Sequence, residues 1–203
     1  MKPFRKHKGS VVPLNRTNID TDIIIPKEFL KRIERTGFGQ FLMHDWRFQE
    51  DGEPREDFVL NFNKYQEASI LLTGENFGSG SSRENAVWAL QDYGFQVIIA
   101  PSFADIFRIN CSKNGLLLIE LEQSLMNDLF EKEEYIDGYT LQVDLQEGII
   151  KDQQGWSIPF TLDSHTRHKF LNGLDDIALT LEAEDNIKEF EKNRPFYMNP
   201  TTI

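Results

Sequence analysis

Cysteine is almost missing from this chain: Cys111 is the single one. That excludes an internal disulfide framework and fits a reducing compartment, the cytoplasm. It also means that the chain alone cannot hold an iron–sulfur cluster through three or four thiolates. Positive charge is short as well, with Lys plus Arg at 22 against Asp plus Glu at 33, a net charge of −11. So acidic a chain is a poor general binder of nucleic acid or of an anionic membrane, both of which need clustered cations. No segment approaches the roughly 18 apolar residues of a membrane span. The early basic residues Lys2, Arg5, Lys6 and Lys8 are not followed by the apolar stretch of a secretory signal. Fixed-period repeats and low-complexity runs are absent too. What remains is 203 residues, enough for one domain with a real core.

The middle of the chain is the most regular part. "SILLTG", "QVIIAP" and "LLLIEL" are continuous apolar runs of strand length, separated by helical patterns. "SRENAVWALQDYG" reads as a helix stopped by Gly94, and "SFADIFRINCSKNG" as a helix with Phe103, Ile106 and Phe107 inward, ended by Gly115. Strand–helix–strand alternation with short links implies parallel strands. Before it, "GSVVPL" predicts a strand, Pro26 opens a helix through "KEFLKRI", and "FGQFLMHDWRF" places Phe38, Phe41, Leu42 and Trp46 on one helical face. "SLMNDLFEKEEY" follows as a helix with Ser124 as its cap. "YTLQVDLQEGIIKDQQGWSIPFTLD" alternates apolar and polar residues and turns at Gly148 and Gly155, the pattern of antiparallel hairpins. Ser164 is the expected cap of a helix through "HTRHKFLNG", and a charged helical tail covers about residues 175–203. The expectation is a single α/β domain with a mixed sheet and β/β/α units.

One stretch stands out chemically. "GENFGSGSSREN", residues 74 to 85, is a glycine-rich elbow between a buried strand and a helix. A Walker-type phosphate loop needs a lysine after its last glycine, and none is here. The dinucleotide fingerprint needs a third glycine, where this chain has Arg83. The geometry common to both survives: a tight turn, including Gly80, feeding N–H groups at a helix N-terminus, an anion site. Ser81 and Ser82 add hydroxyls, and Arg83 adds a fork of donors matched to a carboxylate. The plainer alternative is a turn in which Ser81 merely caps the helix.

"NIDTDIIIP", "GENFGSGSSRE" and "IIAPSFADIF", three separated motifs in one order, decide between these. Together they resemble the small-subunit family of 3-isopropylmalate dehydratase, itself similar to the swivelling fourth domain of aconitase. The likeness runs from "GSVVPLNRTNIDTD" through "LNGLDDIALTL". It implies a hydro-lyase of leucine biosynthesis that interconverts 2-isopropylmalate and 3-isopropylmalate through isopropylmaleate. It also implies a separate large subunit that holds a [4Fe–4S] cluster, with no cofactor in this chain. Ser81 matches the serine base, Arg83 the residue that grips a substrate carboxylate, and Asp22 an aspartate lining the site. Ser82 and Gly80 complete the substrate pocket. The segment that selects substrate follows "IIP", residues 27 to 39, where Phe29 and Leu30 resemble the family's Tyr-Leu pair. Leu30, with Phe29 or Ile33, is the expected apolar wall for the isopropyl group; the alternative is that these three form the buried face of a short helix. Small subunits of homoaconitase or of citraconate or methylmalate hydratase, and a non-catalytic ligand-binding module, are the other readings.

Two positions depart from the family pattern. Asn85 stands where the motif has histidine and is expected to hold the turn by a hydrogen bond. Cys111 stands where a small serine-like residue is expected and reads as a small buried hydrophobe. His165 and His168, three apart beside Asp163, lack the further ligands of a metal site. His44 and Asp45 read as helix packing and not as a catalytic dyad.

Overall fold

A computed structural model describes residues 1–31, 36–81 and 83–194. Seven strands form one mixed sheet: β1 (Lys6–Leu14), β2 (Ile70–Thr73), β3 (Val97–Ala100), β4 (Leu117–Glu120), β5 (Thr140–Asp144), β6 (Ile149–Asp152) and β7 (Ser157–Pro159). Their order is β4-β3-β2-β1-β5-β6-β7. β1 to β4 pair in parallel, whereas β5, β6 and β7 continue from β1 as an antiparallel meander. The four parallel strands therefore end along one edge, with Leu14 beside Thr73 and Ile99 beside Ile119. The helices are α1 (Thr21–Ile24), α2 (His44–Arg47), α3 (Glu84–Tyr93), α4 (Asp105–Asn114), α5 (Gln123–Tyr135), α6 (Ser164–Asn172), α7 (Asp176–Leu181) and α8 (Glu184–Lys192).

β2 and β3 are buried at every position, because both faces of the sheet are covered. On one face Val12, Leu71 and Ile98 pack with Ala86, Leu90 and Phe107 from α3 and α4 and with the segment before β2. On the other, Val11, Ile70 and Ile99 pack with Met126 and Leu129 of α5 and Phe170 of α6. This double burial is what the unbroken apolar runs encode. Among the described residues, no helix is long and apolar enough to cross a membrane.

Local details differ from the sequence reading in instructive ways. Residues 38–48 are not one helix: a 3-10 turn at Gly39–Phe41 and α2 are separated by Met43, which takes the left-handed conformation at φ 48°. Pro26 precedes a 3-10 turn, Lys27–Lys31, instead of an α-helix. Ile106 points outward at 51% exposure and Phe103 lies before α4, so Phe107 and Cys111 make the buried face of that helix. Ser124 lies inside α5, which starts behind Glu122 without a side-chain cap. Asp163, not Ser164, caps α6, its carboxylate accepting the Thr166 N–H at 2.9 Å. A carboxylate one residue earlier was the stronger acceptor for the same free N–H groups.

Candidate active site

The site forms where β1 and β2 end. The chain leaving Leu14 and the chain leaving Thr73 stay hydrogen-bonded to each other beyond the strands. The Gly74 N–H donates to the Arg16 carbonyl at 3.0 Å, Asn18 N–H to Glu75 at 2.9 Å, Gly78 N–H to Ile19 at 2.7 Å and Thr21 N–H to Ser79 at 2.9 Å. On its other side the elbow meets the loop after β3. There the Ser102 hydroxyl accepts the Asn76 N–H at 2.9 Å, and Ala104 N–H donates to Phe77 at 3.1 Å. The elbow is thus wedged between two strand-end loops at the carboxyl edge, the place where open α/β sheets bind ligands.

Two glycines shape the elbow. Gly78 has φ 78°, and a Cβ there would fall 2.2 Å from Cγ of buried Phe107. Gly80 has φ 85°, with an added Cβ 3.3 Å from the Asp20 Cβ.

Ser81 is exposed at the tip, and its hydroxyl makes no hydrogen bond to a described residue. It does not cap α3, which begins behind Arg83, itself extended at φ −137° and ψ 114°. The Arg83 side chain turns back to α1, where Nη1 reaches the Asp22 Oδ1 at 2.5 Å and the Ile25 carbonyl at 3.5 Å. Arg83 is largely covered, its side chain 18% exposed, while Asp22 is 54% exposed. Nε and Nη2 have no partner among the described residues. The structure thus brings Asp22 of the "DTD" motif against Arg83 of the elbow. Ser82 and Ile33 lie outside the described residues.

Glu84 sits in the first turn of α3, but its carboxylate accepts the Asn114 Nδ2 at 2.9 Å and so bridges α3 to α4. Asn85 is half-buried and makes no side-chain hydrogen bond to a described residue. In the segment after "IIP", Phe29 stacks on Phe41 with ring centroids 4.1 Å apart and lies 4.9 Å from the His44 ring. Phe29 and Leu30 are both half-buried against the core. His44 approaches Asp45 only at 3.5 Å and packs on Phe48.

Two residues here escaped the sequence reading. Thr21, 2% exposed, donates through Oγ1 to the Ser81 carbonyl at 2.5 Å. No sequence pattern signals a hydroxyl whose acceptor is a backbone atom in another motif. Arg16 lies over the Trp46 ring at 4.5 Å, lining a cavity of about 290 Å³ with Asp45, Arg55 and Asp57.

Cys111 is fully buried, and that burial pushes its thiol well above the usual range despite Arg108. It is a core residue. No group of three His, Cys, Asp or Glu among the described residues could hold a metal ion, so the donors present here do not fit an iron–sulfur cluster. His168 Nε2 faces both carboxylate oxygens of Glu182 at 3.1 Å, tying α6 to the end of α7.

Comparison with known proteins finds relatives along nearly the whole chain. The family described as "Aconitase C-terminal domain" matches residues 1–124. The family described as the C-terminal domain of the 3-isopropylmalate dehydratase small subunit matches residues 176–195. The 3-isopropylmalate dehydratase small subunit of Rhodopirellula baltica is 58% identical over 195 residues, covering 96% of this chain and 100% of its own. That of Bacillus subtilis is 52% identical over 198 residues, covering 98% and 99%. A crystal structure of 3-isopropylmalate dehydratase from Methanocaldococcus jannaschii superposes with a TM-score of 0.64 at 26% identity, covering 92% of this chain and 99% of that one. An α/β sheet that ends in a serine-tipped elbow clasped by the "DTD" loop, with these relatives along nearly its whole length, belongs to the 3-isopropylmalate dehydratase small-subunit family.

Proposed function

We propose that this chain is the small subunit of 3-isopropylmalate dehydratase, a hydro-lyase, and that it supplies the proton-abstracting half of a shared active site. The substrates in this reading are 2-isopropylmalate and 3-isopropylmalate, interconverted through isopropylmaleate, and the partner is the large subunit. The Lewis acid for the departing hydroxyl is a [4Fe–4S] cluster on that partner. The reaction and the lone thiol fit the cytoplasm.

The observation that carries the reading is the exposed Ser81 hydroxyl at the elbow's tip, followed two residues later by an arginine whose Nε and Nη2 have no partner among the described residues. A free serine is far too weak an acid to serve as a base at neutral pH. The start of α3 and the Arg83 guanidinium supply the positive potential that favours its alkoxide. The Ser81 alkoxide takes the proton from the carbon next to the carbinol carbon as the C–O bond breaks and the C=C bond forms; the hydroxide leaves as water by taking up a proton from solvent, to which Ser81 later returns the one it took. The Nε–Nη2 edge of Arg83 binds a substrate carboxylate through two parallel N–H bonds. Hydration in the reverse sense, with the added groups exchanged between the two carbons, gives the isomer.

The test is anaerobic reconstitution with the cluster-loaded large subunit, following isopropylmaleate by its absorbance. The pair turns over 3-isopropylmalate and neither chain does so alone. Ser81→Ala assembles normally but loses roughly 10²–10⁴ in turnover. Activity of this chain by itself, or near wild-type activity of Ser81→Ala, overturns the reading.

A further inference from the structure

We propose that Thr21 is a positioning residue for Ser81, an inference that rests on Ser81 being the base. Ser81 belongs to no helix or strand, and Ser79, two residues before it, has only an isolated bridge to Asp20. Among the described residues, Thr21 makes two hydrogen bonds to this turn. The Thr21 N–H donates to the Ser79 carbonyl at 2.9 Å, and its Oγ1 donates to the Ser81 carbonyl at 2.5 Å. The two bonds grip the chain on either side of Gly80, whose φ of 85° folds the turn onto Asp20 and Thr21.

Thr21 is well placed to hold something still. Asp20 caps α1, its carboxylate accepting the Ile23 N–H at 2.8 Å. Ile24 and Ile25, which follow, are fully buried. At 2% exposure Thr21 itself offers no surface to a substrate, so its hydroxyl works through the backbone it binds. A carbonyl can only accept, so the threonine is the donor. Losing that bond frees the peptide after Ser81 to rotate, and with it the direction of the serine side chain. A displacement of about 1 Å at a reacting group can cost on the order of 100-fold in rate.

The experiment uses the reconstituted two-subunit enzyme with 3-isopropylmalate. Thr21→Val keeps the shape but removes the hydroxyl; we expect kcat to fall about 10- to 100-fold with KM within threefold. Thr21→Ser restores the donor and returns kcat to within threefold of wild type. Gly80→Ala strains the same turn from outside Thr21 and is expected to show the same split, which keeps the proposal testable if Thr21→Val does not assemble. A wild-type kcat in Thr21→Val, a loss that Ser does not restore, or an effect that appears in KM overturns the proposal. If Gly80→Ala must serve alone, an unchanged kcat does so. Ser81→Ala runs alongside: its retaining activity sinks the base assignment itself, whereas an inactive Ser81→Ala with a normal Thr21→Val sinks only the role of Thr21.

Discussion

Nη1 of Arg83 meets Oδ1 of Asp22 at 2.5 Å, joining two motifs that lie far apart in the sequence. With Asp22 more than half exposed, this pair adds little to stability, of the order of 0–1 kcal/mol. Its consequence is orientation, since an arginine held along one edge presents the other edge in a fixed plane. Arg83→Lys should therefore raise KM for 3-isopropylmalate by about 10- to 100-fold, because a point charge cannot reproduce the fork. Asp22→Asn should raise it less and leave the urea midpoint unchanged. Steady-state kinetics on the two variants check both, and an unchanged KM in Arg83→Lys would remove Arg83 from the substrate site.

The elbow's shape depends on Gly78, where a Cβ would overlap the ring of Phe107 and φ is positive. Strain and overpacking together should cost Gly78→Ala about 3 kcal/mol or more in equilibrium unfolding. Gly155 offers the control: φ is 94°, but nothing lies within 4 Å of an added Cβ. Gly155→Ala should show the backbone term alone, about 1 kcal/mol, with turnover intact. Equal losses in the two variants would mean that Phe107 yields freely and does not brace the elbow.

Acid stability rests on carboxylates away from the site. Asp144 is held below the usual range by its hydrogen bond from Lys6, which outweighs burial with help from the Glu147 and Gln146 N–H groups. Asp176 is lowered likewise by Lys169. A carboxylate depressed in the folded state stabilises above its unfolded value, and that contribution is lost as pH falls through the folded one. The contribution of these carboxylates to the unfolding free energy should hold steady down to about pH 4 and then decline. Asp144→Asn should be less stable than wild type at pH 7, with the gap closing toward pH 3. A gap of constant size would show that Asp144 acts through packing alone.

Much of this was legible in the residues, and the failures share a cause. The runs "SILLT" and "QVIIA" declare buried parallel strands because only a sheet covered on both faces needs apolar side chains at every position. The glycines of the elbow declare a special turn because no other residue accepts φ near 80° without strain. Ile106 misled because a helix beside an open edge carries apolar residues on two faces, and periodicity cannot say which meets the core. Met43 misled because its left-handed kink is imposed by tertiary packing; it is fully buried, and its N–H donates to the Ile24 carbonyl. Thr21 was invisible because its acceptor is a carbonyl of a different motif.

In the stretch expected to select substrate, Phe29 stacks on Phe41. Phe29 is engaged by Phe41 and His44, and Ile33 lies outside the described residues, so Leu30 is the member of the expected wall to test first. Leu30 is half-buried against the core on a short 3-10 turn. Burying an isopropyl group against an apolar wall is worth roughly 2 kcal/mol, about thirtyfold in selectivity. Leu30→Ala should therefore lower kcat/KM for 3-isopropylmalate by up to about thirtyfold while leaving an unbranched malate analogue nearly unchanged. If both substrates lose activity in proportion, Leu30 is a core residue that supports the fold, and selection lies elsewhere in residues 27 to 39 or on the large subunit. An unchanged ratio in an enzyme that folds and assembles gives Leu30 the same structural role.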